Sequence, residues 1–308
     1  MATQQPALAD EAAANTQLQG GRLYVVSTPI GNLGDLSPRA QQILAQVDCI
    51  AAEDTRTSGT LLHAFGIKTR CVTLHQHNEA ASAAGLIAQM QAGHSVALIS
   101  DAGTPLVSDP GFLLVRQARA EGLQVLAVPG PSAVLAALAI SGLPTDQFSF
   151  LGFLPSKAGA RGRVLAQLAS RPETLILYES PHRVLASVEH MAAELGAARP
   201  VCVARELTKR YEESYSGQLA GAVQWLREKP TRQKGEFVIV LGGAAAATAA
   251  ETVADDDMLK VLMQVLEPSA AARTAAQLSG GSRNALYKRA LQLSGSGGQS
   301  GDQGEEVA

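Results

Sequence analysis

The chain has 308 residues, 46% of them apolar and 17% charged, with a net charge of −3. That length allows two medium domains with buried cores, while no run approaches the roughly 18 consecutive apolar residues of a membrane span. The slightly acidic balance excludes binding of nucleic acid by the whole surface and leaves that task to local patches. In chain order, Met1–Gly20 is rich in Ala and Gln, with two acids and no Lys or Arg. It lacks the basic start and apolar centre of a secretory signal and is expected to be a disordered arm. Short β-branched runs then alternate with helical stretches, the pattern of a parallel sheet covered by helices. Strands are expected at Arg22–Val26, Val47–Ala51, Cys71–Leu74, Ser95–Ile99 and Gln124–Val128. Helices are expected at Ser37–Gln46, Gly59–Phe65, Ala80–Gln91, Gly111–Glu121 and Ser132–Ile140. One α/β domain therefore spans residues 21–141.

Ser141-Gly-Leu-Pro144 reads as a hinge. Strands follow at Phe148–Phe153, Thr174–Tyr178, Val201–Arg205 and Phe237–Leu241, with helices at Arg161–Ser170, His182–Leu195 and Gln218–Glu228 between them. This second α/β domain covers 142–243. Residues 244–257, an Ala-Thr run and three Asp, read as a flexible linker, 258–294 as a small helical module, and 295–308 as a disordered Gly/Ser/acidic tail. The three cysteines, Cys49, Cys71 and Cys202, are scattered and show no C-x-x-C spacing. That argues against a disulfide framework and a zinc site, and for the cytosol.

Three loops of the first domain carry unusual chemistry. Ser27-Thr28-Pro29-Ile30-Gly31-Asn32-Leu33-Gly34-Asp35-Leu36-Ser37-Pro38 places two glycines where strand gives way to helix, with Ser37 as N-cap and Pro38 at the first helical position. Its spacing is neither G-x-G-x-x-G nor a P-loop. Ser100-Asp101-Ala102-Gly103-Thr104-Pro105-Leu106-Val107-Ser108-Asp109-Pro110-Gly111 holds two Gly, two Pro and two Asp in twelve residues, a density that ordinary turns do not require. Asp101 and Asp109 could accept hydrogen bonds from ribose hydroxyls or an amino group, although for Asp109 the helix-capping turn that Ser108-Asp109-Pro110 also fits is the stronger reading. Val128-Pro129-Gly130-Pro131-Ser132-Ala133 is the third. Ligands of open α/β sheets bind beyond the carboxyl ends of the strands, so the three loops point to one pocket for a small nucleotide-like ligand, without saying which.

The segments S-T-P-I-G-N-L-G-D, A-E-D-T-R, S-D-A-G-T-P-L-V-S-D-P-G, P-G-P-S-A, G-F-L-P, Y-E-S-P-H-R, A-R-E-L-T-K and G-E-F-V-I-V run in order from Ser27 to Val240. As an ordered set they resemble the tetrapyrrole-methylase (class III) superfamily, and within it the bacterial branch that methylates the ribose 2′-hydroxyl of a decoding-centre cytidine in small-subunit (16S) ribosomal RNA. The resemblance implies two α/β domains with an S-adenosylmethionine site in the cleft between them. Carried onto this chain, Pro29, Ile30, Gly31, Asp101, Ala102, Gly103, Thr104, Pro105 and Ser132 would line that site from the first domain. Phe153, Leu154 and the Gly235-Glu236-Phe237 edge strand would close it from the second. A homodimer is implied as well.

Methyl transfer to a ribose hydroxyl needs in-line alignment and a group that takes or stabilises the hydroxyl proton. The motifs offer Glu53, Asp54 and Arg56, Asp101, and Glu179 with His182 and Arg183. Asp101 fits the donor better than the proton, and Glu53 with Arg56 could equally be a structural ion pair. His75-Gln76-His77-Asn78-Glu79 could set two imidazoles on one strand face, but no third ligand is near, and no metal is expected. Basic residues gather at Lys157–Arg163, Arg205–Arg210 and Arg227–Lys234, a candidate phosphate-contacting surface. Beyond them, the stretch from Ala270 to Leu278, then Ser279-Gly280-Gly281, then a helix with Arg283, Asn284, Lys288 and Arg289 has the outline of a helix-turn-helix. Two other readings stand beside a ribosomal RNA methyltransferase. A tetrapyrrole methyltransferase of the same fold would want a more apolar cleft and has no use for the terminal module. A non-catalytic RNA-binding protein would tolerate loss of the donor-loop residues.

Overall fold

The computed structural model describes residues 20–75, 79–244, 249–279 and 283–295. Nearly all of the expected N-terminal arm, Gln76 to Asn78, the Gly280-Gly281 turn and the end of the tail lie outside the described residues. The described chain divides into two compact units. One carries two five-stranded sheets; the other carries the helices beyond Gly243 with the Gln167–Pro172 turn.

The first sheet contains β1 (Arg22–Val26), β2 (Cys49–Ala52), β3 (Cys71–Thr73), β4 (Val96–Ile99) and β5 (Gln124–Val128) in the order β3-β2-β4-β1-β5, all parallel. Buried on both faces, β2 and β4 are apolar throughout, as a helix-covered parallel sheet requires. The helices are α1 (Pro38–Gln46), α2 (Thr55–Ala64), α3 (Glu79–Gln91), α4 (Phe112–Ala120) and α5 (Ala133–Ile140). Tyr24, Ile43, Leu44 and Ile50 pack into one core cluster and Leu23, Leu86, Met90, Leu98 and Leu114 into another. Ser37 caps α1 as expected, accepting from Ala40 N at 3.1 Å. Helix α2 starts four residues before the expected Gly59 because Asp54 is its N-cap, accepting from Arg56 N at 2.8 Å.

The second sheet is β6 (Phe148–Phe153), β7 (Thr174–Glu179), β8 (Pro200–Arg205), β9 (Glu213–Gln218) and β10 (Phe237–Leu241), in the order β6-β7-β10-β8-β9. Only β6 and β7 run parallel; the other pairs are antiparallel. Helices α6 (Ala158–Leu168), α7 (Val184–Leu195) and α8 (Leu219–Glu228) belong to this half of the chain. Two expectations change here. The Gly235-Glu236-Phe237 segment does not open an edge strand: β10 sits between β7 and β8, and all five of its residues are buried. Strand β9 was not expected, because ESYSGQ is polar and lies at an edge, where one ladder suffices and little apolar surface is covered.

In the other unit, α9 (Ala249–Leu262), α10 (Pro268–Ser279) and α11 (Arg283–Gly295) share a core of Leu259, Ala272, Ala275, Leu286 and Ala290. Helix α9 takes in residues 249–257, which the composition had suggested as linker. Alanine favours helix, and Asp256 meets the Arg289 guanidinium at 2.6 and 2.7 Å, tying α9 to α11.

The turn before α4 departs from expectation in a way that bears on function. Gly111 stands at the N-cap with φ 120° and no side-chain cap bond. The orphan N–H groups are met by Glu79 of α3, whose Oε1 accepts from Gly111 N at 3.1 Å and from Leu113 N at 2.7 Å. Asp109 is thereby released from the capping role. Replacing Glu79 by Ala should cost about 1–2 kcal/mol, the range of a lost cap, seen as a lower urea midpoint with an unchanged slope.

Candidate active site

At the carboxyl edge of the first sheet the three loops are laced together. Thr28 N donates to Gly103 O at 2.8 Å and Gly103 N to Thr28 O at 3.0 Å, a one-rung antiparallel bridge. The Thr28 hydroxyl donates to Ser100 O at 3.1 Å. The Thr104 hydroxyl donates to Pro131 O at 3.0 Å and lies 2.9 Å from the Ser27 hydroxyl. Gly103 adopts φ 80°, and a Cβ there would stand 3.3 Å from Ile30 Cγ2. Leu106 and Ser108 hold φ 73° and 72°, costly for residues with a side chain and a mark of functional loops.

These loops form one wall of a cavity of about 310 Å³, and the second sheet supplies the other. Of the residues expected around the donor, Ile30, Ala102, Gly103, Thr104, Ser132, Phe153, Glu236 and Phe237 line it. The remaining six, Pro29, Gly31, Asp101, Pro105, Leu154 and Gly235, lie outside the lining. A Cβ on Gly31 would overlap Lys209 Cγ, so the absence of a side chain here makes room for the lysine. Leu154 is buried, and its carbonyl accepts from Arg183 Nη2 at 2.9 Å. Asp101 is exposed, its Oδ1 accepting from Asp54 N at 3.1 Å.

The suggested Glu53–Arg56 ion pair gives way to another: Arg56 pairs with Asp54 at 2.7 Å, drawing that carboxyl down to about 2. Glu53 and Arg56 lie outside the cavity lining. Burial, then the neighbouring Asp101, raises the Glu53 carboxyl. Asp109, which the sequence offered both as an acceptor and as a capping residue, lines the cavity, as do Val107, Ala133, Tyr178 and Leu207, which sequence reasoning did not single out. Burial pushes the Asp109 carboxyl up to about 6, aided by the charges of Glu53 and Asp101 and opposed by a hydrogen bond with Ser100. Burial likewise carries the Tyr178 phenol to about 12, with Asp109 and Glu236 adding to it. Glu179 ends β7 with its side chain 1% exposed, bonded to Arg183 Nε and to Ser180 N.

Three carboxylates, Asp109, Glu179 and Glu236, thus face a cavity whose lining contains no Lys or Arg. Two of them pair with cations outside that lining, Glu179 with Arg183 and Glu236 with Lys209, so the wall offers a phosphate no cation of its own and a cationic ligand several acceptors. Its apolar parts, Ile30, Val107, Phe153 and Val238, suit an aromatic ring system. Among the described residues no cluster of His, Cys, Asp or Glu could hold a metal ion, and the His75-to-Glu79 stretch lies partly outside them.

The fold and this site define a methyltransferase of the tetrapyrrole-methylase class. The sequence profile of the Tetrapyrrole (Corrin/Porphyrin) Methylases matches residues 22–223, and that of the RsmI C-terminal HTH domain matches residues 247–294. The ribosomal RNA small subunit methyltransferase I of Escherichia coli O157:H7 is 45% identical over 285 residues, 92% of this chain and 99% of that one. The Xylella fastidiosa (strain Temecula1) protein of the same name is 50% identical over 267 residues, 87% of this chain and 98% of its own. The chain belongs to the tetrapyrrole methylase family, in its ribosomal RNA small subunit methyltransferase I branch. Among solved structures, the uroporphyrin-III C-methyltransferase from Thermus thermophilus shares the fold, with a TM-score of 0.52 and 21% identity over 72% of this chain and 94% of that one.

The raised Asp109 carboxyl has a consequence for stability. Its folded value of about 6 exceeds the ordinary 3.8, so its ionised form is disfavoured by folding. Wild type therefore loses stability relative to Asp109→Asn as pH rises through about 6, and the two should converge below about 4. Thermal melts from pH 4 to 8 check this; an equal difference at both ends would refute it.

Proposed function

We propose that this chain transfers a methyl group from S-adenosylmethionine to the ribose 2′-hydroxyl of a cytidine in the decoding centre of small-subunit (16S) ribosomal RNA. The observation that carries the reading is the carboxylate-walled cavity free of lysine and arginine, in a chain of the ribosomal RNA small subunit methyltransferase I branch. When bound, S-adenosylmethionine supplies an electrophilic methyl group on a positively charged sulfur. Ile30, Gly103, Thr104 and Ser132 would hold it from the first half of the chain and Phe153, Tyr178 and Glu236 from the second. Asp109 is better placed than Glu53 or Asp101 to take the hydroxyl proton. It alone of the three lines the cavity, and a carboxyl near pH 6 is a competent base at neutral pH.

For the RNA, the basic runs contribute less than their composition suggests. Arg161, Arg205 and Arg232 are buried in hydrogen bonds with neighbouring groups, and Lys209 is paired with Glu206 and Glu236. Lys157, Arg163, Arg210, Lys229 and Lys234 are exposed and are the proposed phosphate contacts. In the helical unit Arg289 is spoken for by Asp256, leaving Arg283, Asn284 and Lys288 exposed on α11. Homodimerisation is supported by α5, apolar on every side, with Leu135 and Ile140 56% and 48% exposed. No helix among the described residues is long and apolar enough to cross a membrane, and we place the protein in the cytosol.

Labelled donor with small ribosomal subunits, deproteinised ribosomal RNA or a porphyrin precursor tests the substrate. Label on the 2′-oxygen of one cytidine is expected; label on the porphyrin would overturn the reading. A chain ending at Gly242 should bind donor as well as wild type and bind RNA at least about tenfold more weakly, from lost phosphate contacts. Leu135→Glu should shift sedimentation from dimer to monomer.

A further inference from the structure

One buried polar atom of a cavity-lining residue has no hydrogen-bond partner in the fold. Glu179 lines the cavity, and its carboxylate divides its work unevenly. Oε1 accepts from Arg183 Nε and from Ser180 N, whereas Oε2 is buried and has no hydrogen-bond partner in the structure. Arg183 is fixed in turn by the Leu154 carbonyl. A carboxylate that served only to hold Arg183 would present both oxygens to its fork, the geometry this pair forms most readily. Leaving one oxygen of a buried anion unmet is a standing cost, and such exceptions mark functional groups.

Resting on the donor site proposed above, we infer that Glu179 is a ligand-binding residue whose free oxygen accepts a hydrogen bond from the methyl donor, with Arg183 as the positioning residue that sets its rotamer. The chemistry required is an N–H or O–H, preferably on a cation. The donor offers its α-ammonium and its ribose hydroxyls. An RNA hydroxyl is the weaker fit, since the side chain is 1% exposed and a polymer reaches it less easily than a small molecule filling the cavity.

Glu179→Gln keeps the shape and an acceptor for Arg183 but turns a donor group toward the ligand. Calorimetry with S-adenosylmethionine, S-adenosylhomocysteine and methylthioadenosine, which lacks the amino-acid arm, reads the effect. Affinity for the first two should fall about tenfold or more, the effect of losing a charged hydrogen bond. Retained affinity for methylthioadenosine identifies the α-ammonium as the partner; a loss with all three identifies a nucleoside group, and either result supports the inference. The ligand-free melting temperature is expected to fall in either case, because Arg183 loses its counter-ion, so the donor affinities of the folded variant decide. Arg183→Lys, which keeps the charge and loses the fork, should weaken the donor less than Glu179→Gln does. It also stands in if the first variant does not fold.

Unchanged donor affinity in the folded variants, with or without a change in KM for RNA, overturns the inference. Failure of the wild-type protein to bind the donor would instead overturn the donor-site reading on which it rests.

Discussion

The structure turns on a single rung of backbone pairing between Thr28 and Gly103. Two hydrogen bonds join the loop after β1 to the loop after β4, and the Ser27, Thr104 and Pro131 contacts extend the seam to the loop after β5. Each loop leaves its strand with unpaired backbone groups, and here much of that demand is met by the neighbouring loop instead of by water. Gly103 takes a left-handed conformation at the rung, with Ile30 in contact with the space a side chain would occupy. The wall of the cavity is thus a continuation of the sheet, and its shape follows from strand order β4-β1-β5.

Onto this frame the chain places negative charge where it costs most. Asp109 is pushed upward chiefly by burial, and Tyr178, half-buried beside it, is raised in the same field. Cations partly offset that charge: Arg183 pairs with Glu179 and Lys209 with Glu236 as well as Glu206, while Arg56 pairs with Asp54. Stability is given up at the cavity and supported by the apolar strands beneath it, the usual division between a site and its scaffold.

Most of the scaffold was legible from sequence because it is local. Ser37 and Pro38 announce a helix start, Gly93 and Gly122 follow helix ends, and β-branched runs four to six residues long mark buried strands. The glycine-rich loops likewise identified the rim of the cavity. Side-chain partnership was not legible. Glu79 stands in a polar run that invited a metal-site reading, yet its role is set by Gly111, more than thirty residues away. Asp54 and Glu53 are adjacent in sequence, and only geometry decides that Arg56 pairs with the former. Arg289 looked available for RNA until α9 brought Asp256 against it. Strand β9 lacked the apolar alternation that betrays most strands, since its pairing partner supplies the buried side.

The two left-handed residues of the loop after β4, Leu106 and Ser108, bear on kinetics. Residues held in such conformations persist only where their surroundings over-determine them, and this loop is pinned at Gly103 and carried at its far end by the Glu79 cap. A ligand arriving there meets a surface already in its final shape. Capture then needs no loop ordering; its speed is governed by diffusion, by the attraction of the carboxylates for a cation, and by the water they must release. A preformed rim of this kind favours fast exchange of a small ligand between encounters with the much slower RNA partner.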